Sequence, residues 1–252
     1  MRVLALDTAT EACSVALLSD DPSQPGGVQL IERYLELGKS HANQILRMVD
    51  SVLAESDIQL CHLHGLAASV GPGAFTGVRI SVAVAQGLAF GAGLAVVPVS
   101  SLEALALQAV REGAVRTLVC LDARMGEVYW ACFAADAARG VIILSPPRVG
   151  PPGTVKLPDS PPLASVNARP ASAARYRGIG RGFSAYPSLG ALPGVEVSSA
   201  AARALPTAGH IARLGALRLA AGEGIDPSEL RPVYLRDKVA HTEAERRQAR
   251  PQ

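Results

Sequence analysis

A pattern of strand, aspartate, short turn and strand occurs twice in this chain and constrains its fold more than any other feature. The first copy, VLALDTATEACSVALLS, begins at Val3, and the second, TLVCLDARMGEVYWACFAA, begins at Thr117. Asp7 and Asp122 occupy the same place in the two copies. A repeat of this kind indicates two related halves that meet near residues 110–115.

Each copy predicts an antiparallel hairpin, and a third strand follows it in both halves. Hydrophobic residues make up 49% of the 252 residues but aromatic ones only 4%, so small aliphatic side chains must build the core. That composition is typical of layered α/β domains. We predict a first half at 1–112, a second half at 113–230 with a Pro/Ala-rich insert at 145–175, and a C-terminal segment with a charged tail at 231–252.

Two helices are predicted in the first half, at 40–54 and 77–91. The first has a helical apolar period, with Ser40 as its N-cap, and its apolar positions are Ile45, Met48, Val49, Val52 and Leu53. The second alternates small and large residues, which would also suit a strand, but its length and alanine content favour a helix that is apolar nearly all round.

The apolar surface of these helices exceeds what one sheet contact needs, which favours helix-against-helix pairing with a partner. The alternative is that another element of the same chain covers it. The residues predicted to form a partner interface are His41, Gln44, Ile45, Met48, Val52, Arg79, Val82 and Gln86.

The loop GPGAFTGVR, residues 71–79, allows two interpretations. It lacks the spacing of a P-loop or a dinucleotide-binding motif, so it is either a strand-to-helix turn capped by Thr76 or an anion site beside Arg79. Asp7 and Asp122 likewise either lie beside a nucleotide phosphate or order their own turns. The first turn has no glycine to let a phosphate approach, which favours turn formation.

Other chemistry has little support in the sequence. Cys61, His62 and His64 have a spacing that could bind a metal, but no acidic cluster adjoins them. No serine lies in a GxSxG motif. The formal charge of +2 neither demands nor excludes a nucleic-acid partner. The cysteines suggest buried, reduced thiols, and we expect a cytoplasmic protein with no leader and no apolar run long enough to span a membrane.

Several segments, in this order, resemble the TsaB (YeaZ) family of bacterial proteins. They are LALDTATEACSVAL, SHANQIL, GPGAFTGVRISVAVAQGLAFG, VVPVSSLEALA, LDARMGEVYWA and PVYLRD. The resemblance is close over residues 1–135 and looser in the C-terminal segment, and residues 140–200 are not diagnostic. It implies a duplicated actin-like/Hsp70-like (ASKHA) α/β fold with two RNase H-like halves.

The resemblance also implies a function and partners. Family members belong to the machinery that makes N6-threonylcarbamoyladenosine at position 37 of tRNAs decoding ANN codons. They pair through helices of the first half with TsaD, the catalytic paralogue. TsaE, an ATPase, joins them, and TsaC supplies the threonylcarbamoyl-adenylate. Homodimers through the same surface are a further expectation.

The comparison with TsaD-like chains implies that this chain is not an enzyme. Those chains carry an HxxxH pair of metal ligands after a strand resembling VVPVS, where this chain has Ser101 and Leu105. Serine is a poor metal ligand and leucine is none. We therefore expect a scaffold with no metal and no cofactor, apart from weak ATP or ADP binding at the complex interface, with Asp7, Thr8, Gly71 and Gly73 as candidate residues.

Two alternatives are weighed against the scaffold. The Asp7/Asp122 repeat suits an ATP-using, kinase-like enzyme of the same fold. A peptidase ranks last, because no nucleophile–base constellation is visible. Whether Arg246, Arg247 and Arg250 in the tail contact tRNA is left open.

Overall fold

The two copies of the sequence pattern form two five-stranded sheets with the same strand order. The structure is a computed structural model, and it describes residues 1–20, 27–36, 40–158 and 175–236. The first half consists of β1 (Arg2–Asp7), β2 (Ala12–Asp20), β3 (Val28–Glu36), α1 (His41–Ser56), β4 (Gly65–Ser69), α2 (Phe75–Ala92), β5 (Val96–Val99) and α3 (Ser101–Arg111).

The second half repeats the strand plan with shorter helices. It consists of β6 (Arg116–Arg124), β7 (Glu127–Asp136), β8 (Gly140–Gly150), β9 (Tyr176–Ile179), α4 (Gly182–Ala185), β10 (Val195–Glu196) and α5 (Ala208–Ala220). The sheet orders are β3-β2-β1-β4-β5 and β8-β7-β6-β9-β10. In each sheet the first three strands are antiparallel and the last two join in parallel, which confirms the predicted duplicated α/β fold.

Two helices, α3 and α5, lie between the sheets and build the central core. α5 packs on β1, β2 and β4 of the first sheet, whereas α3 packs on β6, β7 and β8 of the second. One cluster of buried residues joins Ala5, Leu105, Phe133 and Ile211. Because α5 comes from the second half and covers the first sheet, the halves are interleaved, and the domain boundary at 112/113 stays a prediction.

The opposite face of the first sheet carries α1 and α2. α2 is a helix throughout, and Val78, Val82, Ala85 and Ala89 lie on its buried side. Its length and composition would also suit a membrane span, so the expectation that no apolar run is long enough was wrong. In the structure this helix packs on the first sheet and on α1.

The start of the Pro/Ala-rich insert belongs to the second sheet, contrary to the prediction of a loop over 145–175. Pro146 and Pro147 lie within β8, where the register with β7 shifts between the Trp130–Arg148 and Cys132–Ser145 pairs. Proline donates no ladder hydrogen bond, so it is tolerated at an irregularity in an edge strand such as this one. Residues 159–174 of the insert lie outside the described residues.

Candidate functional site

The glycine loop at 71–79 packs against the turn between β1 and β2. A Cβ atom on Gly73 would overlap the Ala9 carbonyl oxygen, and one on Gly77 would overlap the Thr8 carbonyl oxygen. The Ala74 N–H donates to Ala9 O at 2.7 Å, and Thr8 Oγ1 donates to Gly77 O at 2.6 Å. Of the two interpretations, the structure therefore supports a turn that starts a helix.

Capping of the two outer helices differs from the prediction. Ser40 occupies the N-cap position of α1 but its side chain makes no capping hydrogen bond, and its φ is 76°. In α2 the N-cap position falls on Ala74, so Thr76 lies inside the first turn and does not cap. Neither helix start has an acidic residue in its first turn.

The two repeated aspartates order their own turns, as the turn chemistry favoured. Asp7 Oδ1 accepts from the Ala9 N–H at 2.9 Å, and Asp122 Oδ1 accepts from the Arg124 N–H at 2.8 Å. Asp7 is fully buried, and burial raises its pKa to about 7 although the Ala9 N–H and the Ser69 hydroxyl oppose that rise. Its Oδ2 has no hydrogen-bond partner among the described residues.

The four candidate nucleotide-binding residues do not form an open site. Asp7 and Thr8 have no exposed surface, and Gly71 is buried beside the Val233 carbonyl. Gly73 is the member of the set that lines a cavity. Asp7 and Thr8 are thus closed off from the cavity, with the Thr8 hydroxyl already bonded to the Gly77 carbonyl oxygen, and their assignment to a nucleotide site stays a prediction.

That cavity is a cleft of about 760 Å³ between the two halves. The starts of α1 and α2 line it from the first half, and the end of β6 and residues of α4 line it from the second. Its polar and charged residues are Thr10, Glu11, Ser40, His41, Thr76, Asp122, Arg124, Tyr129, Arg181 and Ser184.

Charged side chains from both halves meet across this cleft. Arg124 pairs with Glu11 of the first half and with Asp122 at 3.1 Å. Arg181 lies 3.7 Å from Glu11 and also pairs with Glu36. The Glu11 carboxylate is thus held by two arginines of the second half. Sequence reasoning missed this group, since nothing in the spacing of these residues indicates that the two halves bring them together.

Most of the predicted partner-interface residues belong to this chain's own core. Ile45 and Val52 are 0% exposed, and Met48, Val82 and His41 are also buried. The apolar side of α1 packs on the first sheet, so the alternative in which the same chain covers it is the correct one. Gln44 is half-buried.

Arg79 and Gln86 hold the C-terminal segment of this chain. Arg79 Nε donates to Tyr234 Oη at 2.8 Å, and its guanidinium lies 3.6 Å from the centre of the Phe75 ring. Gln86 Nε2 donates to the carbonyl oxygens of Pro227 and Leu230. Both residues thus contact this chain's own C-terminal segment, and their role in a partner interface stays a prediction.

We call the exposed sides of α1 and α2 the outer helix face. Its large apolar and small residues are not those predicted for a partner interface. Two large apolar residues on it are Leu46, 50% exposed, and Phe90, 59% exposed. α2 also exposes small residues at positions 83, 87 and 91, namely Ala83, Gly87 and Gly91. A Cβ atom on Gly87 or Gly91 would meet nothing within 4 Å, so this chain's own packing does not require glycine there.

The position that corresponds to the metal-binding pair of TsaD-like chains is filled by structural residues. Ser101 Oγ and Ser69 Oγ lie 2.9 Å apart, and Leu105 is fully buried in the central core. Among the described residues, no three His, Cys, Asp or Glu side chains group closely enough to hold a metal. His64 Nδ1 instead accepts from the Arg2 N–H, and Cys61 is exposed while the other three cysteines are buried.

A hydroxyl–histidine contact occurs at the start of α5. Thr207 Oγ1 and His210 Nδ1 lie 3.1 Å apart. Burial, together with Arg111 and Arg213, lowers the pKa of His210 to about 4. Such a weak base is poorly matched to activating a nucleophile at neutral pH, so the contact gives the peptidase alternative little support.

Comparison with known proteins places this chain in a family. The model described as "TsaD: tRNA N6-adenosine threonylcarbamoyltransferase" matches residues 35–141. The "tRNA threonylcarbamoyladenosine biosynthesis protein TsaB" of Escherichia coli (strain K12) is 37% identical over 95% of this chain and 96% of its own length. The protein of the same description from Haemophilus influenzae is 34% identical, over 95% of each chain.

Solved structures agree with these relatives. "YeaZ from Pseudomonas aeruginosa" is 36% identical and superposes with a TM-score of 0.76 over 93% of this chain and 100% of its own. Another structure, of a protein "with similarity to peptidase YEAZ from Pseudomonas aeruginosa", is 37% identical with a TM-score of 0.78 over 93% and 99% of the two chains. The chain belongs to the TsaB (YeaZ) family.

Proposed function

We propose that this chain is a non-catalytic scaffold subunit of the complex that transfers a threonylcarbamoyl group to N6 of adenosine 37 in tRNAs decoding ANN codons. Its direct partner is a TsaD-like paralogue, a TsaE-like ATPase joins the pair, and tRNA is reached through the complex. Such a protein works in the cytoplasm. The names of the relatives support the pathway, and the rest of the proposal relies on the surface of the chain.

The outer helix face is the observation that carries this proposal. Two large apolar side chains, Leu46 and Phe90, are half exposed on helices whose other sides are already packed. The open space above Gly87 and Gly91 lets another helix approach the backbone closely. Glycine inside a helix costs about 1 kcal/mol relative to alanine. A partner that uses the space offsets this cost, so we infer pairing with helices of the TsaD-like chain, or with a second copy.

A scaffold role also agrees with the residues at the start of α3. Ser101 is hydrogen bonded to Ser69 and Leu105 contributes to the core between the sheets. Converting this position into a metal site would need two ligands in place of packed side chains. The catalytic chemistry is therefore assigned to the paralogue.

Pairing with the TsaD-like chain is testable by sedimentation velocity of purified proteins. Phe90→Glu places a charge on the outer helix face, and Val115→Glu is the matched control, because Val115 is 62% exposed and lies in the loop between the halves. We expect the first substitution to weaken pairing at least tenfold and the second to leave it unchanged. Equal affinities for the two variants would contradict the assigned face.

The ATP-using enzyme is the second candidate function. The sequence feature that suggested this function is the Asp7/Asp122 repeat. It gives weaker support now, because both carboxylates order their own turns. The cleft between the halves is the remaining observation in its favour. Calorimetry of the chain with ATP and magnesium decides this alternative, since a kinase-like enzyme must bind the nucleotide and a pure scaffold does not need to.

A further inference from the structure

Two aromatic rings and an arginine are stacked together on the surface at the start of α2. The Arg79 guanidinium lies 3.6 Å from the centre of the Phe75 ring and 5.8 Å from the centre of the Tyr234 ring. The two ring centres are 5.7 Å apart, and Arg79 Nε donates to Tyr234 Oη. We call Phe75, Arg79 and Tyr234 the aromatic–arginine cluster.

This cluster is exposed although the chain around it is held in place. Phe75 is 43% exposed and Tyr234 is 47% exposed. The Val233 N–H donates to Val70 O at 2.8 Å, and Arg236 donates to a carbonyl oxygen of the second half at 3.1 Å. Rings that are already ordered lose little conformational entropy on binding, so the cluster is suited to contact a ligand.

The arginines of this surface have no acidic partner. No carboxylate in the part of the chain that the structure describes forms an ion pair with Arg79, whose polar contact is the Tyr234 hydroxyl. Arg231, which precedes Tyr234 on the same segment, is exposed and donates to carbonyl oxygens of that segment. By contrast, Arg124 and Arg175 pair with glutamates. An unpaired surface guanidinium can bind the oxygens of an incoming phosphate.

The shape of the surface favours a planar ligand over a protruding side chain. The cavity beside the cluster, lined by Phe75 and Tyr234, has a volume of only about 40 Å³. Residues that dominate protein–protein binding are usually seated in well-packed pockets, and this cavity is too small for a large side chain. A nucleobase stacks on the face of a ring or a guanidinium and needs no pocket.

We propose that the aromatic–arginine cluster binds an unpaired nucleotide of the RNA substrate, with its base stacked on the exposed rings and a phosphate against Arg79. Aromatic rings and arginine together are the groups that recognise unpaired bases in RNA loops. This inference rests on the proposed function, because it takes the tRNA of that function as the ligand. It goes beyond the scaffold role, because it gives this chain direct contact with RNA.

The position of the cluster leaves room for the protein partner. Phe75 is the first residue of α2, whereas Phe90 lies near its end, about 22 Å along the helix axis. RNA at the cluster and a partner at Phe90 therefore occupy opposite ends of one helix.

Fluorescence anisotropy with a labelled anticodon stem-loop of the substrate tRNA tests the proposal on the complex of this chain with the TsaD-like protein. Phe75→Leu and Tyr234→Leu each remove a ring and keep an apolar side chain, and Arg79→Gln removes the charge. The matched controls are Tyr34→Leu, which removes a 40% exposed ring on β3, and Arg175→Gln, which removes an exposed charge next to β9. Circular dichroism checks that each variant is folded.

We expect each ring variant to bind the stem-loop about tenfold more weakly than wild type, because one base–ring stack is lost. Arg79→Gln should also bind more weakly, and it should lower the slope of log affinity against log salt concentration by about one, because one phosphate contact is lost. The two controls should match wild type. In steady-state modification, the ring variants should raise the KM for tRNA and leave kcat unchanged, because the cluster binds RNA without taking part in the chemistry.

Unchanged affinity in the ring variants would overturn the proposal, as would an equal loss in the two controls. Absence of stem-loop binding by the wild-type complex would overturn it as well. Sedimentation velocity of the ring variants with the TsaD-like and TsaE-like proteins covers the remaining case, since weakened pairing with either protein would show that the cluster is a protein interface instead. Failure of the proposed function is distinct from all of these results, because tRNA modification would then proceed equally without this chain.

Discussion

Asp7 and Asp122 show how two copies of one motif diverge at the level of single residues. Both accept a hydrogen bond from the N–H two residues later. Asp122 is half-buried beside Arg124, whereas Asp7 is fully buried and no positive charge among the described residues lowers its pKa. A carboxylate buried without a counter-charge favours its neutral form.

The buried Asp7 makes stability depend on pH. Its folded-state pKa of about 7 exceeds the ordinary value of 3.8, so the folded state holds the proton more tightly. This contribution is fully present below pH 3.8, decreases as pH rises, and is lost above about pH 7. We predict that Asp7→Asn stabilises the chain by up to about 4 kcal/mol at pH 8, and by progressively less towards pH 4.

Urea unfolding of wild type and Asp7→Asn at several pH values measures this difference. His210 acts in the opposite direction, since its pKa of about 4 lies below the ordinary 6.5 and its contribution is lost as pH falls from 6.5 to 4. The difference between the two proteins cancels that effect. A difference that stays constant from pH 5 to pH 8 would show that Asp7 is not protonated in the folded state.

Turn formation by the two aspartates could be predicted from sequence, because it depends on bonds within a few residues. Whether Ser40 and Thr76 cap their helices could not be predicted in this way. A side-chain cap requires a particular backbone conformation, and Ser40 has a φ of 76°. The burial of Thr8 could not be predicted from sequence either, because it depends on contact with Gly77, which is far along the chain.

At the level of elements, two of the three glycines in α2 have opposite roles. Gly77 lies against the Thr8 carbonyl, where a side chain would overlap backbone, and Gly87 faces open space. We predict that Gly77→Ala destabilises the chain by at least about 2 kcal/mol, because the first turn must move. Gly87→Ala should stabilise it by up to about 1 kcal/mol, because alanine is the better helix former.

Thermal or urea unfolding of both variants checks this pair within one helix. A similar effect of the two substitutions would contradict the close contact between α2 and the first turn. The contrast also separates a glycine that the fold needs from one that leaves room for a partner.

The same elements show what periodicity can and cannot predict. Periodicity placed α1 within two residues of its observed bounds and identified Ile45, Met48 and Val52 as one apolar side, whereas α2 was predicted from its length and alanine content. It did not show whether that side meets this chain's own sheet or a partner. Nor could periodicity predict that α5, which comes from the far end of the chain, packs on the first sheet.

The burial of Ile45 leads to a further prediction. Its side chain is 0% exposed beneath α1. Ile45→Glu would bury an unpaired charge, so we expect unfolding or insolubility instead of a folded chain that merely fails to pair. Leu46→Glu, on the exposed side of the same helix, should fold normally. Solubility and far-ultraviolet circular dichroism of the two variants distinguish these outcomes, and a folded Ile45→Glu would contradict the packing of α1.

At the scale of the whole molecule, the two halves contribute different structural features. The first half presents the outer helix face, and the second contributes α5 to the first sheet and arginines to the cleft. The duplicated fold and the family were predictable because the motif order survives over much of the chain. The outer helix face was not, since an exposed residue is known only when every other element has been placed.

Reconstitution of tRNA threonylcarbamoylation tests the scaffold function most directly. Purified TsaC-, TsaD- and TsaE-like proteins act on unmodified tRNA, with this chain present, with it absent, and with it replacing the TsaD-like protein. The proposal predicts modification only when both this chain and the TsaD-like protein are present. Modification that proceeds equally without this chain, or that this chain supports without the TsaD-like protein, would contradict the assignment of a required, non-catalytic subunit.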